Sequence, residues 1–123
     1  MAKFFSKELV FLLIIAFSLE IIGNALGFYM VFEGYDIVTH FIGGALVSAF
    51  GIKILLPFLK QQAYFVNVVF TVGVGGFWEV TEFTLDLLFN LGLQSSLFDT
   101  MIDLVMVILA AIIINLIYFY KNR

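Results

Sequence analysis

The chain has no cysteine, one proline and one histidine, and only 12% of its 123 residues are charged. Without cysteine there is no disulfide, no thiolate-held metal and no trace of a redox compartment. A soluble domain of this length carries roughly twice that share of charge, so the polar surface is too small to cover a globule in water. Six basic residues against nine acidic ones, net −3, exclude the basic footprint of a nucleic-acid binder. Also missing are a Gly-x-Ser-x-Gly elbow, a phosphate loop, a His-Glu-x-x-His pair and the Glu-x-x-His pairs of di-iron bundles.

What remains is apolar: 63% of residues are hydrophobic and the mean hydropathy is +1.15. Four apolar runs stand out, roughly 9–30, 37–57, 63–89 and 98–120, each near or above the roughly 20 residues that cross a bilayer as a helix. Backbone groups in lipid must satisfy one another, so each run is predicted helical despite its β-branched and aromatic content. The chain therefore reads as a single all-α transmembrane domain over 1–123, an integral membrane four-helix bundle. Phe32-Glu33-Gly34-Tyr35 reads as a turn, Pro57 as the end of the second run before Lys60-Gln61-Gln62, and 90–96 as the third connector. Ser96 or Asp99 is placed to N-cap the last helix. Lys3 and Lys7 before an apolar stretch imitate a signal peptide, but no Ala-x-Ala-like site follows, and the expectation is a retained first span.

Charge sets the expected orientation. Lys3 and Lys7 precede the first span, Lys53 and Lys60 close the second, and Lys121 and Arg123 follow the fourth. An even number of spans gathers all of them on one side, which the positive-inside rule makes cytoplasmic, so a multi-pass protein of the cell membrane with both termini in the cytoplasm is expected. Tyr64, Tyr118 and Tyr120 fall in the inner aromatic belt, and Tyr29 and Tyr35 in the outer one. Among the acids, Glu8 alone lies at the basic end. Glu20, Glu33, Asp36, Glu79, Glu82, Asp86, Asp99 and Asp103 all fall in the other half.

Helical spacing groups these acids into faces. Asp36 and His40 are four apart; Glu79, Glu82 and Asp86 are spaced three then four; Asp99 and Asp103 are four apart, as are Glu20 and Asn24. At about 1.5 Å per residue, Glu79 lies roughly 5 Å outward of the middle of its span, and Glu82, Asp103 and His40 roughly 10 Å outward. Ionisable groups at such depths are costly unless paired, so they are expected to face the bundle interior. Gly23, Gly27, Gly43, Gly44, Gly75 and Gly76 beside them suit close helix packing. Three arrangements satisfy such a cluster. The first is a divalent metal ion (Zn, Mn, Fe or Mg), since carboxylates and imidazole on several helices are how bundle cores hold such ions. The second is protonated, mutually hydrogen-bonded carboxyls. The third is a cationic ligand, such as an amine or a lipid headgroup, entering from outside. Asp36, His40, Glu79, Glu82, Asp99 and Asp103 are the metal-ligand candidates, with Glu82 the candidate general base and Glu20, Asn24 and Asp86 secondary. Trp78 can stack on a cation or pack beside Glu79, and Asn67 and Asn115 suit hydrogen bonds between helices.

Three blocks carry a resemblance. Tyr35-Asp36-Ile37-Val38-Thr39-His40-Phe41 resembles Y-D-x-x-x-H-F, Phe77-Trp78-Glu79-Val80-Thr81-Glu82 resembles W-W-E-x-x-E, and Phe98-Asp99-Thr100-Met101-Ile102-Asp103-Leu104 resembles x-D-T-x-x-D-M. Their order is similar to the YjdF-like inner-membrane proteins, whose reaction is unknown, and more distantly to the VanZ-like proteins, linked with glycopeptide resistance and the cell envelope. The likeness covers about 36–110. It departs from the VanZ-like pattern at Glu82, where a Gln is usual, and in the lack of an Arg before Asp103, which favours the YjdF-like side. The resemblance implies Asp36, His40, Glu79, Glu82, Asp99 and Asp103 as matched positions and supplies no proven reaction.

The functional expectation is a carboxylate/His site in the outer half that binds a metal or other cation and acts on an envelope or lipid headgroup. The alternatives are a proton- or cation-coupled transport component and a non-catalytic membrane scaffold or accessory subunit; the expected partners are the lipid bilayer and either a second copy of the chain or a membrane complex. The topology is checked with single cysteines in this cysteine-free chain. A membrane-impermeant maleimide on intact cells should label Glu33→Cys and spare Asn122→Cys; labelling of position 122 would overturn the orientation.

Overall fold

Ser6 starts the first helix. Its Oγ accepts the N–H of Leu9 at 3.3 Å, satisfying one of the free donors of an opening turn, and α1 runs Lys7–Leu26. The computed structural model describes residues 6–32 and 34–123; Lys3 and Glu33, assigned above to opposite ends, lie outside the described residues. The unbroken first run expected over 9–30 is interrupted. Gly27 adopts the left-handed conformation at φ 66°, and its N–H returns to the carbonyls of Asn24 and Gly23, a glycine stop that caps helices. A one-turn helix α2, Phe28–Val31, follows. Hydropathy cannot show this break, because the residues on both sides of Gly27 are equally apolar.

The other helices follow the apolar runs closely. Helix α3 spans Tyr35–Leu59 and continues through Pro57, where the sequence suggests a stop. A proline in the final turn forfeits the bond of its missing N–H, and little helix remains beyond it to disrupt. Helix α4 spans Gln62–Phe89 and α5 spans Leu97–Lys121. Of the two candidate caps for α5, Ser96 takes the role: its Oγ accepts the Asp99 N–H at 3.1 Å. The 4 long helices, α1, α3, α4 and α5, are each long and apolar enough to cross a membrane.

Helix α3 is the hub, packed against α1, α4 and α5. Its pairing with α5 is parallel and keeps a fixed register. His40 lies beside Asp103, Gly44 beside Val107, and Ser48 beside Ala111, the last pair 63 residues apart. Small residues permit this approach: Ala45, Ala49, Ala110 and Ala111 are buried, and a Cβ on Gly44 would come within 3.0 Å of the Val107 Cα. Helix α4 runs antiparallel to both, with Gly75 against the Val107 side chain. Of the glycines expected to pack, Gly44 and Gly75 do, Gly23 faces the rings of Tyr29 and Tyr35, and Gly27, Gly43 and Gly76 face open space. The alternation of direction places Lys7, Lys60, Lys121 and Arg123 at one end, where Lys121 meets Glu8 at 3.2 Å.

The interior is polar where a soluble bundle would be apolar. Asn67, Thr71, Ser48 and Asp103 are as buried as Leu9 and Ile52, while Phe11, Phe17, Phe58, Phe65 and Phe77 face outward. Asn67 Nδ2 donates to the Ser48 carbonyl at 3.1 Å, the Ser48 Oγ at 2.8 Å and the Asn115 Oδ1 at 2.8 Å. Asn115 Nδ2 donates to the Tyr64 carbonyl at 2.7 Å. Together they clasp α3, α4 and α5 toward the basic end, the cross-helix role expected of Asn67 and Asn115. Asn67→Ala removes the clasp and strands Asn115 Oδ1 in a dry interior, a cost of roughly 1–3 kcal/mol. Detergent-solubilised N67A should unfold at a clearly lower temperature than wild type, whereas F65A, at a 75% exposed position, should not. Equal midpoints for N67A and wild type would refute the clasp.

Candidate functional site

The site forms where the first turns of α3 and α5 meet the last third of α4. Gly34, in the left-handed region at φ 91°, starts α3 and puts Asp36 in its first turn. One turn on, His40 points into the bundle with its side chain 8% exposed. The 63-residue register brings Asp103 of α5 beside it, and α4 contributes Glu79 and Glu82. The Glu79 and Asp103 side chains are 6% and 3% exposed, Asp36 is more open at 29%, and Glu82 is also part-exposed.

The distances centre on the single imidazole. Nε2 lies 2.9 Å from Glu79 Oε1. Nδ1 lies 3.2 Å from Asp36 Oδ1, 3.4 Å from Asp103 Oδ1 and 3.1 Å from the Asp36 carbonyl oxygen. A carbonyl oxygen only accepts, so the hydrogen bond to it places the proton on Nδ1. On the other nitrogen the picture is reversed. Nε2 and Glu79 Oε1 are close, yet neither is aligned for a hydrogen bond with any partner, and Asp103 Oδ1 is also buried without one. Stranded polar atoms of this kind are rare in folded interiors. They leave Nε2 and Glu79 Oε1 facing each other, with neither in a hydrogen bond.

Two triads of ligand-type atoms share His40. Asp36, His40 and Asp103 form one; His40, Glu79 and Glu82 form the other, with the atoms of each within 4.8 Å of one another. Ligands sharing one tetrahedral ion at metal–ligand lengths of about 2.0–2.2 Å lie roughly 3.3–3.6 Å apart, a few tenths of an ångström more than the 2.9 Å between His40 Nε2 and Glu79 Oε1. Such a cluster can hold a divalent cation. Trp78, which the sequence left as a stacking or packing residue, donates Nε1–H to Glu82 Oε1 at 2.8 Å, leaving the second oxygen of that carboxylate available.

The remaining candidates serve local structure. Asp86 accepts the N–H groups of Leu93 and Gln94 at 2.8 and 2.7 Å, tying down the connector between α4 and α5. Asp99, one turn before Asp103, accepts from Ser95 Oγ at 2.7 Å. Glu20 accepts from Asn24 Nδ2 at 3.2 Å and from the Tyr29 hydroxyl at 2.8 Å, on the exposed side of α1. None of these four, Asp86, Asp99, Glu20 or Asn24, joins either triad. One contact at the site carried no sequence signal. Gln94 Nε2 lies 3.3 Å from Glu79 Oε2 and 3.4 Å from the Glu79 carbonyl. It comes from an irregular connector, where no periodicity predicts what a side chain reaches.

Among known proteins, the chain is similar to an "Uncharacterized protein" of Thermotoga maritima, with 34% identity over 92 residues. That match covers 70% of this chain and 48% of the relative, so the chain spans about half the relative's length. No solved structure matches. The description "Predicted membrane protein (DUF2238)" belongs to a family whose sequence profile matches residues 3–123, and this chain is a member of that family.

Proposed function

We propose that the chain is a multi-pass protein of the cell membrane that holds a divalent metal ion between His40 Nε2, Glu79 and Glu82, on the face of the bundle turned away from the cytoplasm. The observation that carries this reading is the pair of stranded atoms, His40 Nε2 and Glu79 Oε1, 2.9 Å apart, buried and outside hydrogen-bond alignment. An ion between them satisfies both. Asp36 and Asp103 then act on the opposite ring nitrogen, fixing the tautomer and raising the basicity of the ligand nitrogen, as carboxylates behind metal-bound histidines do. Glu82 is a ligand in this arrangement rather than the general base suggested by its spacing. One nitrogen and two carboxylates suit zinc, manganese, iron or magnesium better than calcium.

With protein ligands on one side only, such a centre keeps positions open for a substrate oxygen, which the ion would polarise. An envelope or lipid headgroup fits the depth of the site, and the YjdF-like likeness of the three sequence blocks agrees with an inner-membrane protein. A conducting path is less well supported. Between this cluster and the Asn67 clasp the bundle axis is filled by Val107, seated on Gly44 and Gly75.

Elemental analysis of detergent-purified protein provides the test. Wild type grown with each candidate metal should retain about one ion per chain of one of them, and H40A and E79Q should lose it. Glu8→Gln, at the other end of the bundle, should retain it. A wild-type protein free of metal under every supplement would sink the proposal. Proteoliposomes should show no proton or cation current above empty vesicles, and a current would favour transport.

A further inference from the structure

Where α4 ends and α5 begins, a cleft of about 310 Å³ opens beside the site, lined by Phe83, Asp86, Leu87, Gln94, Ser96 and Leu97. Its walls differ in chemistry. Phe83, Leu87 and Leu97 are 56%, 74% and 78% exposed and continue the apolar outer surface of the bundle. Asp86, Gln94 and Ser96 form the polar side. Phe83 and Asp86 follow Glu79 at spacings of four and three, so cleft and site share one face of α4. Gln94 belongs to both: it lines the cleft and lies 3.3 Å from Glu79 Oε2. A molecule in the cleft therefore sits one side chain away from the proposed centre.

The cleft's chemistry selects its occupant. A wall continuous with the lipid-facing surface favours a molecule with a hydrocarbon chain. A volume near the lower end of small-molecule sites, roughly 300–1,000 Å³, suits a headgroup and its first chain carbons. No Lys or Arg occurs between Lys60 and Lys121, the stretch that holds α4, the connector and most of α5. Every phospholipid head brings a phosphate, for which this stretch has no counter-charge; an amine on the same head is complementary to Asp86, which lines the cleft. We propose that this cleft binds the headgroup end of an amine-bearing phospholipid of the ethanolamine class and presents it beside Gln94 to the site. The inference rests on the metal-centre reading for its purpose, since it names the substrate class of that centre, but it stands on separate residues.

Native mass spectrometry of protein released from micelles doped with equimolar phosphatidylethanolamine and phosphatidylglycerol of matched chains tests it. Wild type should carry the ethanolamine lipid in about tenfold preference. Leu87→Arg, which adds a cation to the cleft, should reverse that preference, and the milder Phe83→Ala should lower retention without reversing it. Cobalt titration of the same preparations reads the centre independently and should be unchanged in both variants. Equal retention of the two lipids by wild type, or a preference that neither variant alters, would overturn the proposal; with cobalt binding intact, the metal centre would stand. An ethanolamine preference that responds to the variants in a protein that binds no cobalt would remove the centre and leave the cleft.

Discussion

An ionisable side chain buried in a membrane-spanning bundle must find a partner, because neither lipid nor a dry helix interface solvates it. The His40–Glu79 contact concentrates that constraint. An imidazole and a carboxylate lie 2.9 Å apart, each almost fully buried, with two further carboxylates on the far side of the ring. A single imidazole cannot balance that many acids. Nδ1 is committed to the Asp36 carbonyl, and on the other side of the ring Nε2 and Glu79 Oε1 face each other without a hydrogen bond. The proposed cation answers that imbalance.

The rest of the bundle makes this contact possible. Small residues let α3 and α5 run side by side in constant register, so a step of four residues along one helix matches the same step along the other. His40 meets Asp103, Gly44 meets Val107 and Ser48 meets Ala111 as consequences of one packing choice. The Val107 layer seals the axis beneath the site. Below that, the Asn67 clasp ties the three helices with neutral hydrogen bonds. The bundle thus has two polar layers of different kinds: one hydrogen-bonded across three helices, with Asn67 Oδ1 left over, the other short of partners and partly open through Asp36 and Glu82.

Much of this was legible in the sequence, for a physical reason. Bilayer thickness imposes a length on every span, and burial imposes a spacing on the charges, so the spans and the cluster of Asp36, His40, Glu79, Glu82 and Asp103 follow from counting. The misses lie where counting has no purchase. Gly27 ends α1 through a backbone conformation that hydropathy does not register, and Pro57 sits too near a helix end to stop it. Asp86 and Asp99 share the acidic spacing yet face the connector, because two residues one or two turns apart along a helix can serve different neighbours. Gln94 reaches Glu79 from an irregular segment whose path the sequence pattern leaves open. Family membership agrees with the membrane placement, and the Thermotoga relative extends the likeness without adding a chemistry.

The account turns on the state of one ring, and this chain has one histidine. Selective ¹⁵N-histidine labelling therefore yields a single imidazole spectrum. The account predicts a neutral ring protonated at Nδ1, with Nε2 showing direct coupling to ¹¹³Cd when cadmium is added and losing it in E79Q. A ring that carries protons on both nitrogens at neutral pH and shows no cadmium coupling would contradict it.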